Sequence, residues 1–183
     1  MVDVAVVVPT YNESANIAEL VCRLETVLAG RSWEVVFVDD DSPDGSARVA
    51  RALAREKPHV RCLQRIGRRG LSRAVVEGVL STSAPVVAVM DADLQHDEQV
   101  LPAMLERLDR DQLDLVVASR YIAGGSVQGW DAGRLEMSRW ATRLARIVVK
   151  TELTDPMSGY FVMRRSTFEA AVRKLSGEGY KLL

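Results

Sequence analysis

The sequence predicts an α/β domain in which a mainly parallel sheet is flanked by helices. Short runs of apolar, mostly β-branched residues recur along the chain and are typical of buried strands. Longer segments between these runs have apolar residues at helical spacing. Because strands that alternate with helices usually pair in parallel, this order predicts a sheet with its strands running mainly one way.

The predicted elements follow one another with short connections. Strands are expected at residues 4–8, 33–38, 60–63, 86–90, 113–118 and 159–163. Helices are expected at 14–30, 46–57, around 74–79, and at 98–108, 135–149 and 166–175. Residues 179–183 read as the opening of a further amphipathic helix. We therefore expect a single domain over 1–183 that is truncated before C-terminal, membrane-associated elements.

Composition narrows the class of protein. The chain has 183 residues, 48% of them hydrophobic, which is ample for one full core. A net charge of -1 argues against a general nucleic-acid binder. The cysteines Cys22 and Cys62 lie within apolar patterns, which predicts a reducing compartment without disulfides. No apolar run approaches the roughly 20 residues that span a bilayer.

Two aspartates follow the central predicted strand. The apolar run 86–90 leads directly into Asp91 and Asp93. Charged side chains do not continue into a sheet core, so both are expected at the carboxyl edge, where open α/β sheets bind ligands. Two carboxylates there are able to hold a hard divalent cation, and the cation a diphosphate. The plainer interpretation is a strand end with surplus surface acids.

Further polar residues lie near this pair. Gln95 offers a neutral oxygen ligand, and the acids suit Mg²⁺ or Mn²⁺ better than zinc. His96 is either another ligand or, as we expect, a solvent-exposed side chain. Glu13 follows the first strand, and the aspartates 39–41 follow the second. Three adjacent carboxylates repel one another unless donors or a cation face them, and an acid there is able to accept bonds from a nucleobase or ribose.

Arginines supply the opposite charge. Arg120 follows a predicted strand at the same edge, and Arg134 lies in a glycine-rich region that leads into a helix. Arginine suits bidentate contact with phosphate. Taken singly, each is equally well explained as a surface arginine. Residues 65–73 contain four arginines and two glycines and predict a flexible basic loop.

Five segments in chain order carry a family resemblance. They are VVVPTYNE at 6–13, VDDDSPDG at 38–45, MDADLQH at 90–96, SRY at 119–121 and TDPMSGY at 154–160. Over essentially its whole length the sequence resembles the family-2 glycosyltransferases, and within them the polyprenyl- or dolichyl-phosphate mannosyltransferases. The resemblance implies a Rossmann-like GT-A fold and sugar transfer from a nucleotide-sugar to a lipid phosphate.

The resemblance also implies site residues. The nucleoside would be held by Pro9, Tyr11, Glu13, Val38 and Asp40. The diphosphate and an Mg²⁺ or Mn²⁺ ion would be held by Asp91, Ala92, Asp93 and Gln95. The expected metal ligands are Asp91, Asp93 and Gln95. The phosphate groups around the transferred sugar would be faced by Arg120, Arg134 and Ser138. Among these, Asp93, Arg120 and Arg134 are the expected catalytic residues.

A lipid phosphate acceptor simplifies the expected chemistry. It is already anionic at neutral pH, with a second pKa near ~6, so it needs no general base. The expected course is a single inverting displacement, in which arginines screen the two phosphate groups from each other. Asp155 is the alternative candidate base, although Asp-Pro also forms a turn.

Other functions stay open from the sequence. GDP-mannose is the donor that the resemblance favours. UDP-glucose and UDP-linked aminosugars stay open, because related enzymes that use them share these motifs. A phosphohydrolase with an Asp-x-Asp nucleophile and a non-catalytic nucleotide-sugar-binding subunit are the rivals from other classes. We expect a cytoplasmic protein that is peripheral to the cytoplasmic face of a membrane, with the membrane surface as a partner.

Overall fold

Six strands form one sheet in the computed structural model, which describes residues 2–119 and 158–174. They are β1 (Val4–Thr10), β2 (Trp33–Asp39), β3 (Val60–Gln64), β4 (Val86–Val89), β5 (Leu115–Val117) and β6 (Phe161–Arg164). Their order across the sheet is β3-β2-β1-β4-β6-β5. The first four pair in parallel, and β6 runs antiparallel to both β4 and β5. The predicted α/β fold with a mainly parallel sheet is confirmed.

Helices cover both faces of the sheet. They are α1 (Ile17–Val27), α2 (Ser46–Glu56), α3 (Leu71–Leu80), α4 (Leu101–Arg110) and α5 (Arg165–Ala171). Alternate residues of each strand point to opposite faces, so β1 places Val6 and Val8 against α1, α2 and α4. On the other face Val7 packs with α3 and α5. The result is a three-layer arrangement with two separate cores.

One close contact fixes helix α3 on the sheet. A Cβ atom at Gly78 would lie 2.4 Å from Val7 Cγ1 and 2.8 Å from Val38 Cγ2. These distances are too short for carbon atoms, so only glycine permits this approach. Helix α3 therefore lies directly on the central strands β1 and β2, whose carboxyl ends carry the predicted site.

Several element boundaries differ from the predictions. The helix expected from residue 98 begins as a 3₁₀ turn at Glu98–Val100, because Pro102 lacks the N–H that would bond the carbonyl of Glu98. The strand expected at 113–118 is shorter, and the last strand begins at Phe161 rather than Gly159. The helix expected at 135–149 lies outside the described residues.

The helices of the described ranges are short. Each described α-helix has 11 residues or fewer. Within residues 2–119 and 158–174, none is long and apolar enough to cross a bilayer.

Candidate active site at the carboxyl edge

The sheet order brings three acidic loops to one edge. β2, β1 and β4 are neighbours and run in parallel, so the chain leaves all three strands at the same side. Burial raises the pKa of the Glu13 carboxyl, a hydrogen bond from Asn16 opposes this, and the charges of Asp93, Asp44 and Asp91 raise it further. Carboxylates from all three loops therefore share one electrostatic environment.

Asp91 and Asp93 follow β4 after one buried residue, Met90. Asp91 Oδ2 lies 3.2 Å from His96 Nε2, and Asp93 Oδ1 accepts a hydrogen bond of 3.0 Å from the backbone N–H of Gln95. In the part of the chain that the structure describes, neither carboxylate forms an ion pair with arginine or lysine. The pair is thus held by local contacts, and no arginine or lysine among the described residues compensates its charge.

The donor set fits a hard divalent cation that brings other ligands with it. No group of three or more His, Cys, Asp and Glu side chains within residues 2–119 and 158–174 is arranged to hold a metal. A complete protein cage is therefore absent there, whereas two carboxylates are present. Mg²⁺ is commonly bound in this way, through one or two carboxylates together with substrate phosphates and water.

Each of the three acids at the end of β2 accepts hydrogen bonds from the chain itself, while Oδ1 of Asp39 is buried without a hydrogen-bond partner among the described residues. Asp39 accepts a bond of 3.0 Å from the N–H of Ser42. Asp40 accepts from Arg65 Nη1 at 2.5 Å and from the N–H of Gly70 at 2.7 Å. Asp41 accepts from the side chain of Gln64 at 2.9 Å and from the N–H of Gly67 at 3.3 Å. These donors resolve the repulsion that three adjacent carboxylates predict.

The sequence predicted a flexible basic loop at residues 65–73. Its side chains instead contact neighbouring parts of the chain and anchor it. Arg65 has no exposed surface and pairs with Asp40, while Arg68 pairs with Glu77 at 2.9 Å. The guanidinium carbon of Arg69 lies 4.5 Å from the ring centroid of Tyr11, which is a cation–π contact. The loop thus closes over the end of β1, beside the residues expected to hold a nucleoside.

A row of hydrogen bonds fixes the loop after β1 to the loop after β2. The N–H groups of three consecutive residues are bonded by side chains of the second loop. Asn12 donates to Ser42 Oγ at 3.0 Å, Glu13 to Ser46 Oγ at 2.9 Å, and Ser14 to Asp44 Oδ2 at 2.9 Å. The serines and aspartate of the 38–45 motif and its neighbour Ser46 therefore position Tyr11 and Glu13.

The remaining predicted site residues differ in their exposure, and some lie outside the described residues. Tyr11 and Gln95 are exposed at the edge, and Glu13 is half-buried there. Pro9, Val38 and Ala92 are buried and form the floor beneath it. Direct contact between these three and a ligand remains a prediction. Four other predicted residues lie outside the described ranges: Arg120, Arg134, Ser138 and Asp155.

Sequence reasoning missed the groups that hold the acids in place. His96 was expected in solvent, yet its side chain is 19% exposed and packs on Tyr160. A Cβ at Gly159 would lie 2.8 Å from Asp91 Oδ2, so this glycine allows the last strand to approach the acid. The Ser-Gly-Tyr motif at 158–160 is the signal that would have pointed to both contacts.

Solved structures resemble this fold. Mannosyl-3-phosphoglycerate synthase from Rubrobacter xylanophilus superposes with a TM-score of 0.67 at 21% identity, over 90% of this chain and 54% of that one. A mannosyltransferase from Pyrobaculum calidifontis, in complex with GDP-Man and Mn²⁺, superposes with a TM-score of 0.64 at 21% identity, over 91% of this chain and 46% of that one. The fold is therefore the GT-A fold of glycosyltransferases, as the sequence predicted.

Sequence comparison gives the family. Residues 5–171 match glycosyl transferase family 2, and the chain belongs to this family. A dolichol-phosphate mannosyltransferase from Pyrococcus furiosus is 38% identical over 182 residues, covering 98% of this chain and 51% of the relative. The chain thus spans about half the length of that relative.

Proposed function

We propose that the protein transfers a sugar, most readily mannose from GDP-mannose, to a polyprenyl or dolichyl phosphate in a metal-dependent, inverting reaction. The observation that carries the proposal is the pair of carboxylates Asp91 and Asp93 beyond the end of β4, next to Glu13. Among the described residues this pair has no arginine or lysine partner. The name of the Pyrococcus relative supports the same sugar and acceptor class. The complex of the Pyrobaculum enzyme supports the donor and Mn²⁺.

The carboxylates have a direct role in this reaction. Asp91 and Asp93, with Gln95 as a neutral ligand, would hold an Mg²⁺ or Mn²⁺ ion together with the diphosphate of the donor. When bound, such an ion neutralises charge on the leaving nucleoside diphosphate. The exposed ring of Tyr11 and the half-buried Glu13 lie at the adjacent loop, where the nucleoside would bind.

The acceptor determines what else the chain must supply. A lipid monophosphate is its own nucleophile, so no general base is required and Asp155 is not assigned that role. Two anionic groups must nevertheless approach each other. We assign Arg120, Arg134 and Ser138 to the phosphate groups around the transferred sugar, because arginine is suited to bidentate contact with phosphate oxygens. Because a phosphorylated lipid acceptor lies in a membrane, we also propose a peripheral position at a membrane surface, on its cytoplasmic face.

The proposal is tested by nucleotide binding. GDP should bind the wild-type chain more tightly with Mn²⁺ than with EDTA, and Asp93→Ala should remove most of this gain. Removing one of two carboxylate ligands should weaken metal-dependent binding by at least about tenfold. Titration calorimetry with GDP and UDP, each with and without Mn²⁺, measures the gain and also distinguishes the two nucleobases. Equal affinity of the wild type with and without EDTA would contradict the proposal.

A further inference from the structure

Asp91 is held at one oxygen from two sides. His96 Nε2 lies 3.2 Å from Oδ2 of Asp91, within reach of a hydrogen bond. The backbone at Gly159 approaches the same atom so closely that a Cβ there would lie 2.8 Å from it. Oδ1 of Asp91, by contrast, has no hydrogen-bond partner among the described residues. The two oxygens of this carboxylate are therefore not equivalent.

The imidazole that holds Asp91 is itself fixed. Its ring packs on that of Tyr160, with centroids 5.1 Å apart and planes at 43°. Tyr160 is fixed to the sheet edge, because its N–H donates to Ser158 Oγ at 3.1 Å and its carbonyl accepts from the N–H of Ala118 at 2.9 Å. His96 therefore has one ring orientation in which Nε2 faces the carboxylate.

The loop between the two partners is shaped to bring them together. Leu94 has φ +59°, in the left-handed region that non-glycine residues rarely adopt. The adjacent side chain of Asp93 accepts from the N–H of Gln95 and stabilises this reversal. As a result the chain turns back after Asp93, and His96 returns to the position of Asp91 five residues earlier.

We propose that His96 is a positioning residue for the metal-binding carboxylate. Its Nε2–H engages Oδ2 of Asp91 and leaves Oδ1 for the divalent cation of a bound nucleoside diphosphate. This inference rests on the proposed function, since it assigns His96 a part in the same site. Hydrogen-bonded partners of metal ligands commonly change metal affinity by about 10–100-fold when they are removed.

Two substitutions at His96 separate the hydrogen bond from the packing. His96→Phe keeps an aromatic ring against Tyr160 and removes the donor. His96→Gln keeps an N–H donor and removes the ring. His59→Phe is the matched control, because His59 also packs on an aromatic ring, that of Trp33 at 4.6 Å, and also lies 3.1 Å from a carboxylate, that of Glu25. His59 precedes β3 and so lies at the opposite edge of the sheet.

The readout is binding rather than turnover. Titration calorimetry gives the Kd of GDP with Mn²⁺ and with EDTA, and electron paramagnetic resonance of free Mn²⁺ counts the bound metal directly. We expect His96→Phe to raise the Kd of GDP with Mn²⁺ by about tenfold and to leave the Kd in EDTA unchanged. His96→Gln should recover part of the loss, and His59→Phe should bind like the wild type.

The possible results distinguish a failure of this inference from a failure of the proposed function. If wild-type GDP binding does not respond to Mn²⁺, the proposed function and this inference both fail. If it responds and His96→Phe responds equally, only the inference fails. A His96→Phe chain that loses GDP equally in Mn²⁺ and EDTA assigns His96 a purely structural role and also overturns it. Should His96→Phe not fold, Gly159→Ala crowds the same oxygen and must reduce the Mn²⁺-dependent gain.

Discussion

Asp40 illustrates how a single buried charge serves the fold as well as the site. Its carboxylate accepts from Arg65 and from the N–H of Gly70, and the residue is 7% exposed. Each oxygen keeps a further lone pair, so a bond to a nucleobase or ribose remains a prediction. The contacts that are present bind the basic loop to the end of β2.

Asp40→Ala should therefore destabilise the protein in addition to weakening nucleotide binding. Removing one partner of a buried ion pair leaves the other charge uncompensated and costs about 3–5 kcal/mol. Asp41→Ala is the control, since Asp41 is more exposed and accepts from the neutral donors Gln64 and Gly67, so its loss should cost only about 1 kcal/mol. Urea denaturation of the three proteins measures both values. Similar midpoints for the two variants would argue against a structural role for Asp40.

Glu13 gives a prediction about pH. Its pKa is raised above 4.5 in the folded chain, first by burial and then, against the Asn16 hydrogen bond, by neighbouring carboxylates. The folded state thus binds this proton more tightly than the unfolded state, and the charged carboxylate destabilises the fold as the pH rises above 4.5. Glu13→Gln should raise the Tm near neutral pH and leave it unchanged well below the unfolded pKa.

Thermal unfolding at about pH 3 and about pH 7 measures this difference. Glu19→Gln, an exposed acid paired with Arg23 on α1, is the control and should not raise the Tm at either pH. Adding Mn²⁺ and GDP should reverse the order near neutral pH, because a bound cation favours the charged carboxylate that Gln lacks. A Glu13→Gln chain that is less stable than the wild type without ligand would refute this account.

At the scale of elements, two loops act as one unit. The loop after β1 has no regular structure, yet three successive N–H groups are bonded by side chains of the loop after β2. Asp44 accepts more of the hydrogen bonds at this junction than the other side chains. Its carboxylate also accepts from the N–H of Ser46 at 3.0 Å and from the hydroxyl of Ser46 at 2.6 Å. Desolvation raises the pKa of the Asp44 carboxyl, but hydrogen bonds from Ser46 and Ser14 outweigh it and lower the pKa from 3.8 to about 2.

Asp44→Ala should cost about 1 kcal/mol, the usual net loss when a hydrogen-bonding partner is removed. Since the folded pKa is depressed, this contribution is present above pH 3.8 and is lost as the pH falls through about 2. The same change should weaken nucleotide binding, because the loop that presents Tyr11 and Glu13 loses an anchor. Denaturation and calorimetry with Asp111→Ala, a remote exposed acid, as control test both effects; unchanged stability and binding would contradict them.

Elements were predictable to the extent that local pattern determines them. Apolar runs identified all six described strands, because burial on both faces demands such residues. The direction of β6 was not predictable, since an antiparallel neighbour leaves the same apolar pattern as a parallel one. The 3₁₀ turn before α4 was in principle predictable, because Pro102 cannot donate the bond that an α-helix would need there.

At the scale of the whole molecule, Asp91 and Asp93 differ from the acids that pair with arginine or lysine at both edges of the sheet, such as Asp40 with Arg65 at the carboxyl edge. At the amino edge, Glu25 pairs with Lys57 at 2.6 Å and Glu34 with Arg61 at 3.1 Å. At the carboxyl edge, Asp91 and Asp93 have no arginine or lysine partner among the residues described. Two neighbouring carboxylates without a cationic partner among the described residues repel each other and are stabilised by a bound cation, an arrangement that is common at functional sites.

Much of this site followed from the sequence and some did not. The positions of Asp91 and Asp93 were predictable because a charged pair must end a buried strand. The contacts that fix them were not, since Gly159 meets Asp91 only after β6 pairs with β4, and His96 meets it through the turn at Leu94. Long-range contacts of this kind depend on strand pairing, which short sequence patterns do not specify.

The remaining prediction concerns the positive charge that the two phosphate groups require. Among the described residues, no arginine or lysine pairs with Asp91 or Asp93. A phosphate nucleophile brings negative charge towards a diphosphate that is already negative, and the metal ion is committed to the leaving group. We assign this task to Arg134, which lies outside the described residues. Arg134→Ala should slow transfer to polyprenyl phosphate roughly a hundredfold, or about 3 kcal/mol, while nucleotide binding changes far less.

Arg134→Lys should recover only part of that rate, because lysine keeps the charge and lacks the planar fork of the guanidinium. The measurement is transfer of labelled mannose from GDP-mannose, with polyprenyl phosphate and free polyprenol as parallel acceptors, and GDP affinity determined for each variant. Arg31→Ala, a change at an exposed arginine between α1 and β2, is the matched control and should transfer at the wild-type rate. A phosphate-bearing acceptor is essential to this mechanism, so equal transfer to free polyprenol, or a wild-type rate for Arg134→Ala, would refute it.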